Sequence, residues 1–209
     1  MKNYVTEFIG TFFLVLTIGL TVIGGTPMAP LAIGASLMTM VYMGGHISGA
    51  HYNPAVSLAL TLRGKLKASQ LVPYVVFQLL GALAAAWAVS AITGRTFAPE
   101  PAVTATPLQA LGVEVLYTFA LALVVFNTAT HAATKGNSFY GLAIGFTIVV
   151  GAFAGGPISG GAFNPAVGIG PTVLHALMGS GTWQYLWLYI VGPIVGGALA
   201  AGVFALQEA

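Results

Sequence analysis

The sequence Gly44-Gly-His-Ile-Ser-Gly-Ala-His-Tyr-Asn-Pro-Ala-Val56 recurs as Gly155-Gly-Pro-Ile-Ser-Gly-Gly-Ala-Phe-Asn-Pro-Ala-Val167, 111 residues later and identical at nine of thirteen positions. A polar, glycine-rich stretch written twice constrains the fold strongly because of what surrounds it. Only ten of 209 residues are Asp, Glu, Lys or Arg, too few to solvate the surface of a globular protein of this length. The chain therefore reads as an integral membrane protein. Apolar runs at Tyr4–Ile23, Leu71–Ile92, Leu108–Asn127 and Trp183–Leu206 each approach or exceed the roughly 20 residues that cross about 30 Å of hydrocarbon. Two shorter runs, Pro30–Met43 and Ser138–Phe153, lead directly into the twin stretches and complete a set of six spans if the following Gly-Gly is still near the interface. The first run resembles a signal peptide in length, but it carries Glu7, which has a counterpart in Glu114, and is read as part of the mature fold.

The repeat extends further. Leu31-Ala-Ile-Gly34 recurs as Leu142-Ala-Ile-Gly145 at the same offset, Glu7-x-x-x-Thr11 as Glu114-x-x-x-Thr118, and Gly81-Ala-Leu-Ala-Ala as Gly197-Ala-Leu-Ala-Ala. Two halves, about 1–95 and 106–209, thus form one channel domain over 1–209, joined by the Pro-rich stretch Thr93–Pro107. Three spans per half is an odd number, so the second half enters from the opposite face; this is the inverted repeat of pores and transporters, whose centre lies at the midplane. With the N-terminus inside, Lys2, Arg63, Lys65, Lys67 and Lys135 fall on the cytoplasmic side and only Arg95 outside, as positive-inside bias requires. No basic run with interleaved aromatics points to nucleic acid. The chain has no cysteine, which excludes disulfides and thiolate metal sites.

Each twin stretch ends in Asn-Pro, the signature of a helix start with Asn as N-cap and Pro in the first turn. The apolar segments that follow, Pro54–Leu62 and Pro165–Leu174, are nine and ten residues long. At 1.5 Å per residue they cover about 14 Å, half a bilayer. They are expected to enter from opposite faces and meet N-terminus to N-terminus, with Asn53 and Asn164 beside a lumen. The Gly-rich approaches are expected to be non-helical at membrane depth and to supply carbonyls to that lumen. Each helix N-terminus carries roughly half a positive charge, so the centre of such a pore repels cations and protons while neutral solutes pass.

In these residues the chain resembles the major intrinsic proteins, the aquaporins and glycerol facilitators. The resemblance rests on two Asn-Pro-Ala boxes (Asn53, Pro54, Ala55 and Asn164, Pro165, Ala166), on the stretch 46–56, on the paired Glu-x-x-x-Thr motifs and on Val191-Gly-Pro193, and it covers the whole chain. It implies an all-α membrane fold of six transmembrane helices plus two re-entrant half-helices, assembled as a homotetramer with one pore per subunit. It further implies a passive channel for water and small neutral solutes, with ammonia, hydrogen peroxide, urea and glycerol as candidates, in a prokaryotic plasma membrane with both termini cytoplasmic. The family's four-residue outer filter maps onto Ile33, Ala152, Gly161 and Val167. Most members carry Arg where this chain has Val167, and an aromatic or His is common at the first two positions in water-selective members. The filter is expected to be wider and apolar, with carbonyls near Gly160 and Gly161 as its main polar contacts. Gly168 stands where glycerol facilitators carry Asp, and Tyr189-Ile190 fits neither subgroup.

Other readings compete with these. Intramembrane Glu7 and Glu114 could relay protons, but their matched placement favours scaffold acceptors for the re-entrant backbone. His46 and His51 flank the first box, yet the second copy has Pro157 and Ala162 there, so no metal site and no cofactor is expected. His131 and His175 are read as surface histidines. A coupled secondary transporter needs an ionisable midplane site and an enzyme a nucleophile or acid–base pair in the lumen, whereas a pore-closed structural protein could borrow the fold and would show osmotic permeability near the bare-lipid value. The channel reading accounts for every repeated feature.

Overall fold

The computed structural model describes every residue except Ser180 and Ala209. It is helical throughout: α1 (Lys2–Gly24), α2 (Ala29–Ser48), α3 (Pro54–Leu62), α4 (Ala68–Thr93), α5 (Pro107–Val125), α6 (Tyr140–Ala154), α7 (Gly156–Ser159), α8 (Pro165–Leu177) and α9 (Leu188–Gln207). Helices α1, α2, α4, α5 and α9 are each long and apolar enough to span a bilayer. The sixth span, α6, has 15 residues, and the single turn α7 follows it after Gly155. The half-helices are α3 and α8.

Packing follows the repeat. α1 pairs with α4, as α5 pairs with α9, and α2 crosses α6 between the halves. At that crossing a Cβ on Gly34 would lie 2.5 Å from the Gly145 carbonyl oxygen, and a Cβ on Gly145 would lie 2.5 Å from that of Gly34. The duplicated Leu-Ala-Ile-Gly is thus a backbone contact between the two copies of itself. Small residues permit such approach in membrane helices, where no hydrophobic force between helices exists to replace it.

Several boundaries differ from the sequence expectations, each for a local reason. α2 remains helical through Gly44, Gly45 and His46 and ends only at Gly49 (φ 87°), so the first irregular segment is Gly49–Asn53 alone. Gly44 is needed for space, since a Cβ there would run into the Tyr52 hydroxyl. In the second half the helix does break, at Gly155, because Pro157 lacks an N–H and its ring clashes with the turn before it. The second half-helix continues to Leu177 beyond the expected Leu174, with Pro171 inside it. The last span starts at Leu188, five residues after the expected Trp183; Trp183 and Trp187 are instead exposed in the preceding turn, where interfacial aromatics sit.

The register of the Gly-Ala-Leu-Ala-Ala repeat also needs correction. Gly81 lies against the Phe8 carbonyl and Phe12 amide, and the residue that meets the equivalent Val115 and Phe119 atoms is Gly196, not Gly197. The buried set of α4, Gly81, Ala82, Ala85, Ala86 and Val89, matches Gly196, Gly197, Ala200, Ala201 and Phe204 of α9 at an offset of 115. The verbal match is one residue out of phase with the packing match.

At one end of the molecule Glu208 pairs with Arg63 (2.7 Å) and Lys65 (3.5 Å). The Arg63 hydrogen bond holds the Glu208 carboxyl below the ordinary carboxylate range. Phe204 lies beneath both cations and stacks on Phe126 at 4.6 Å between ring centres. At the opposite end Arg95 donates to the Ile23 carbonyl, and the loop after α4 lies over α7, where the Ala102 amide donates to the Ile158 carbonyl.

Replacing Gly34 or Gly145 by Val is expected to lower stability by at least the roughly 1–3 kcal/mol of an overpacked core. Gly202→Val, where a Cβ meets nothing within 4 Å, is expected to change it by less than about 0.5 kcal/mol. Thermal unfolding of the detergent-solubilised protein, followed by circular dichroism, compares the three.

Candidate functional site

The site is built by the two irregular segments, Gly49–Asn53 and Gly160–Asn164, which share one conformation. Gly49 and Gly160, Ala50 and Gly161, and Tyr52 and Phe163 all have φ between 49° and 91°. For Ala50, Tyr52 and Phe163, which carry a Cβ, this costs on the order of 1–3 kcal/mol each, and the surroundings must hold them there.

Two buried carboxylates do so. Glu7 accepts from the Ser48 hydroxyl (2.7 Å), the amides of His51 (3.0 Å) and Tyr52 (2.7 Å), and Gln78 Nε2 (2.8 Å). Glu114 accepts from the Ser159 hydroxyl (2.8 Å) and the amides of Ala162 (3.0 Å) and Phe163 (2.6 Å). Ser48 and Ser159 accept in turn from the amides of Ala50 and Gly161. Tyr74 donates to the Ser48 carbonyl at 2.7 Å and Tyr189 to the Ser159 carbonyl at 2.6 Å. Because N–H and C=O of a trans peptide point in opposite directions, the amides of Ala162 and Phe163 drawn to Glu114 turn the carbonyls of Gly161 and Ala162 the other way, and the Gly161 amide on Ser159 does the same for the carbonyl of Gly160.

Both asparagines are extended N-caps. Asn53 Oδ1 accepts from the amides of Ala55 and Val56, and Asn164 Oδ1 from that of Ala166. The amide nitrogens cross between the halves: Asn53 Nδ2 donates to the Phe163 carbonyl (2.9 Å) and Asn164 Nδ2 to the Tyr52 carbonyl (2.8 Å). Each –NH₂ group has two hydrogens, so this reciprocal clasp uses one and leaves one. Asn53, Asn164, Ile33, Ala152, Gly161 and Val167 all line one cavity of about 310 Å³. A second, of about 570 Å³, lies on the other side of the first loop and is lined by His46, Lys65, Tyr74, His131 and Lys135 among others.

The remaining sequence candidates are placed as follows. His51 is buried, with Nδ1 3.0 Å from Ser57 Oγ, whereas His46 is exposed in the last turn of α2. Among the described residues no three His, Cys, Asp or Glu side chains assemble as a metal-binding group. His131 and His175 are less free than the surface reading held. His131 Nδ1 accepts from the Ala133 amide, and His175 Nδ1 is 2.7 Å from Thr96 Oγ1. A Cβ at Gly168 would collide with Tyr189, so the Asp found there in glycerol facilitators has no room beside this tyrosine. The tyrosine and serine pairs escaped the sequence reading. Ser48 and Ser159 were visible in the twin stretch at offset 111, but Tyr74 and Tyr189 lie at offset 115, beyond a loop of different length.

Glu7→Gln and Glu114→Gln are expected to destabilise the fold markedly, since an amide turns an NH₂ toward donors. At about 1–3 kcal/mol for each buried donor left unmade, loss of folded protein in size-exclusion profiles or a large fall in unfolding temperature is the expected result.

Residues 1–204 match the major intrinsic protein family. The aquaporin NIP1-1 of Zea mays is 36% identical over 216 residues, covering 99% of this chain and 74% of that one. The glycerol uptake facilitator protein-like 6 of Lactiplantibacillus plantarum is 33% identical, covering 96% and 95%. The crystal structure of the aquaglyceroporin from Plasmodium falciparum superposes with a TM-score of 0.85 at 24% identity, covering 97% of this chain and 94% of that one. The chain is an integral membrane protein of six spans and two re-entrant half-helices in an inverted repeat, and it belongs to the major intrinsic protein family.

Proposed function

We propose that the protein is a passive channel that conducts water and small neutral solutes and excludes ions and protons. The observation that carries this reading is the pair of half-helix N-termini whose Asn53 and Asn164 line one cavity and clasp each other's loops. A permeating molecule there meets two amide donors and the positive ends of two helices, an arrangement that disfavours cations and orients water. Among the described residues no Asp, Glu, Lys or Arg lines that cavity, and both intramembrane acids are turned away from it onto backbone amides. This supports a channel over an ion-coupled transporter.

The outer filter in this reading is Ile33, Ala152, Gly161 and Val167. It has no side-chain donor, and its polar contacts are the carbonyls of Gly160 and Gly161. Permeants larger than water, such as ammonia, hydrogen peroxide, urea and glycerol, are therefore included, in keeping with relatives named as both aquaporins and a glycerol facilitator. Assembly as a homotetramer follows the family pattern. A prokaryotic plasma membrane with both termini cytoplasmic is supported by the bacterial relative and by the cations: Lys65 and Lys135 line one mouth, Arg63 and Lys65 meet Glu208, and Arg95 lies at the far end.

Stopped-flow measurements on proteoliposomes test the proposal. Water and at least one of urea, glycerol and ammonia are expected to equilibrate faster than in empty vesicles, without dependence on an ion gradient; a requirement for a sodium or proton gradient would refute it. Asn53→Asp or Asn164→Asp is expected to raise cation leakage, because each puts a carboxylate where the helix termini now hold positive potential. Val167→Arg is expected to suppress urea and glycerol more than water. Equal passage of the larger solutes in the arginine variant would mean that position 167 does not face the permeation path.

A further inference from the structure

Resting on the channel reading, we infer that the size limit of this pore is set not by the outer ring but by a girdle of His51, Val125 and Ile144 on the other side of the asparagines. The outer cavity contains all four ring residues and both asparagines, so open space runs unbroken from Val22 and Pro30 at the mouth, through the ring, to the centre. The second cavity begins beyond the first loop. Of the described residues, only His51, Val125 and Ile144 line both cavities. These three side chains therefore surround the place where the two cavities adjoin.

Each member is held firmly. His51 is fixed by the hydrogen bond to Ser57 (3.0 Å), by its amide on Glu7 (3.0 Å) and by Tyr74, whose ring centre lies 4.9 Å from its own. A Cβ at Gly49 would stand 3.1 Å from His51 Nε2, so the backbone itself backs the ring on that side. Val125 is the last residue of α5 before the wider π turn Phe126–Thr130. Ile144 adjoins Gly145, whose backbone is pinned against Gly34 at the α2–α6 crossing. Valine and isoleucine are stiff at χ1, so neither yields by simple rotation. By contrast, three of the four ring positions hold small side chains or none: Ala152, Gly161 and Val167.

The girdle also has a chemical polarity. One side offers an imidazole edge and the other two aliphatic groups, so a solute must turn a hydrogen-bonding edge to His51 while sliding C–H surface over Val125 and Ile144. Neutral solutes with hydroxyls or amides along one edge of a short carbon chain suit this passage, and the limit on their length and breadth lies here.

The test is the solute cut-off of proteoliposomes across urea, glycerol, erythritol and xylitol, with water flux measured on the same vesicles. Ile144→Ala and Val125→Ala are expected to raise the ratio of erythritol to water permeability by about tenfold or more, the discrimination that one or two methylenes supply in an apolar site. Ile144→Val is expected to move it in the same direction by less, and Ile144→Phe to remove glycerol passage before water passage. These two conservative changes carry the test if the alanine variants do not fold. Val167→Ala and Ile33→Ala, which widen only the outer ring, are expected to leave the cut-off in place. A cut-off that moves with the outer variants and not with those at 125 and 144 would overturn the girdle while leaving the channel reading intact. Flux of every solute at the bare-lipid level would overturn both.

Discussion

The buried carboxylates of Glu7 and Glu114 are the contacts on which the rest of this architecture depends. Irregular backbone inside a bilayer leaves amides that neither water nor a helix can satisfy, and each such group costs several kcal/mol in hydrocarbon. Here the amides of His51, Tyr52, Ala162 and Phe163 go to the two acids, and those of Ala50 and Gly161 to serines that the acids also bind. That satisfaction is what holds Tyr52 and Phe163 at φ near 50°. It also decides the polarity of the lumen, because a peptide whose N–H is drawn to the scaffold presents its carbonyl on the opposite side. The acids face the helix pairs α1–α4 and α5–α9, and the carbonyls face the pore.

Much of this was legible because the chain states it twice. The twin stretch exposes Asn53 and Asn164 by comparison with itself, the paired Glu-x-x-x-Thr motif exposes Glu7 and Glu114, and the Asn-Pro pairs mark helix starts through cap chemistry alone. The limits were equally physical. Tyr74 and Tyr189 make the same hydrogen bond in each half, but loop lengths place them at an offset of 115, where a search at 111 does not find them. The Gly-Ala-Leu-Ala-Ala match misled by one residue because Ala and Gly are interchangeable in composition but not in contact: Gly196 meets the backbone of α5 that Gly81 meets on α1. Helix ends were misjudged where glycine served close approach rather than flexibility, as at Gly44 under Tyr52.

The two halves diverge just where the scaffold ends and the lumen begins. His51, Ser57 and Gln78 form a buried hydrogen-bonded chain to Glu7, with His51 to Ser57 at 3.0 Å, Gln78 to Ser57 at 2.9 Å and Gln78 to Glu7 at 2.8 Å. Their counterparts in the second half, Ala162, Gly168 and Pro193, can form no such chain. Glu114 accordingly carries one donor fewer than Glu7. The first loop thus carries a braced polar side chain at His51 where the second has Ala162.

This asymmetry gives the missing arginine a structural setting. An arginine at 167 would stand in a ring whose other members here are Ile33, Ala152 and Gly161, and its donors would answer the carbonyls of Gly160 and Gly161. With Val167 those carbonyls have no side-chain partner in the ring, and the polar side chains lining the same cavity include Asn53, Asn164 and His51. All three belong to, or bond directly with, loops fixed by the acids. These polar side chains therefore lie on the part of the cavity that the duplicated scaffold holds through its buried hydrogen bonds. A change at Asn53, Asn164 or His51 unsettles a buried hydrogen-bond network whose unmade donors cost about 1–3 kcal/mol each, whereas Ile33 and Val167 are apolar side chains packed in the buried core.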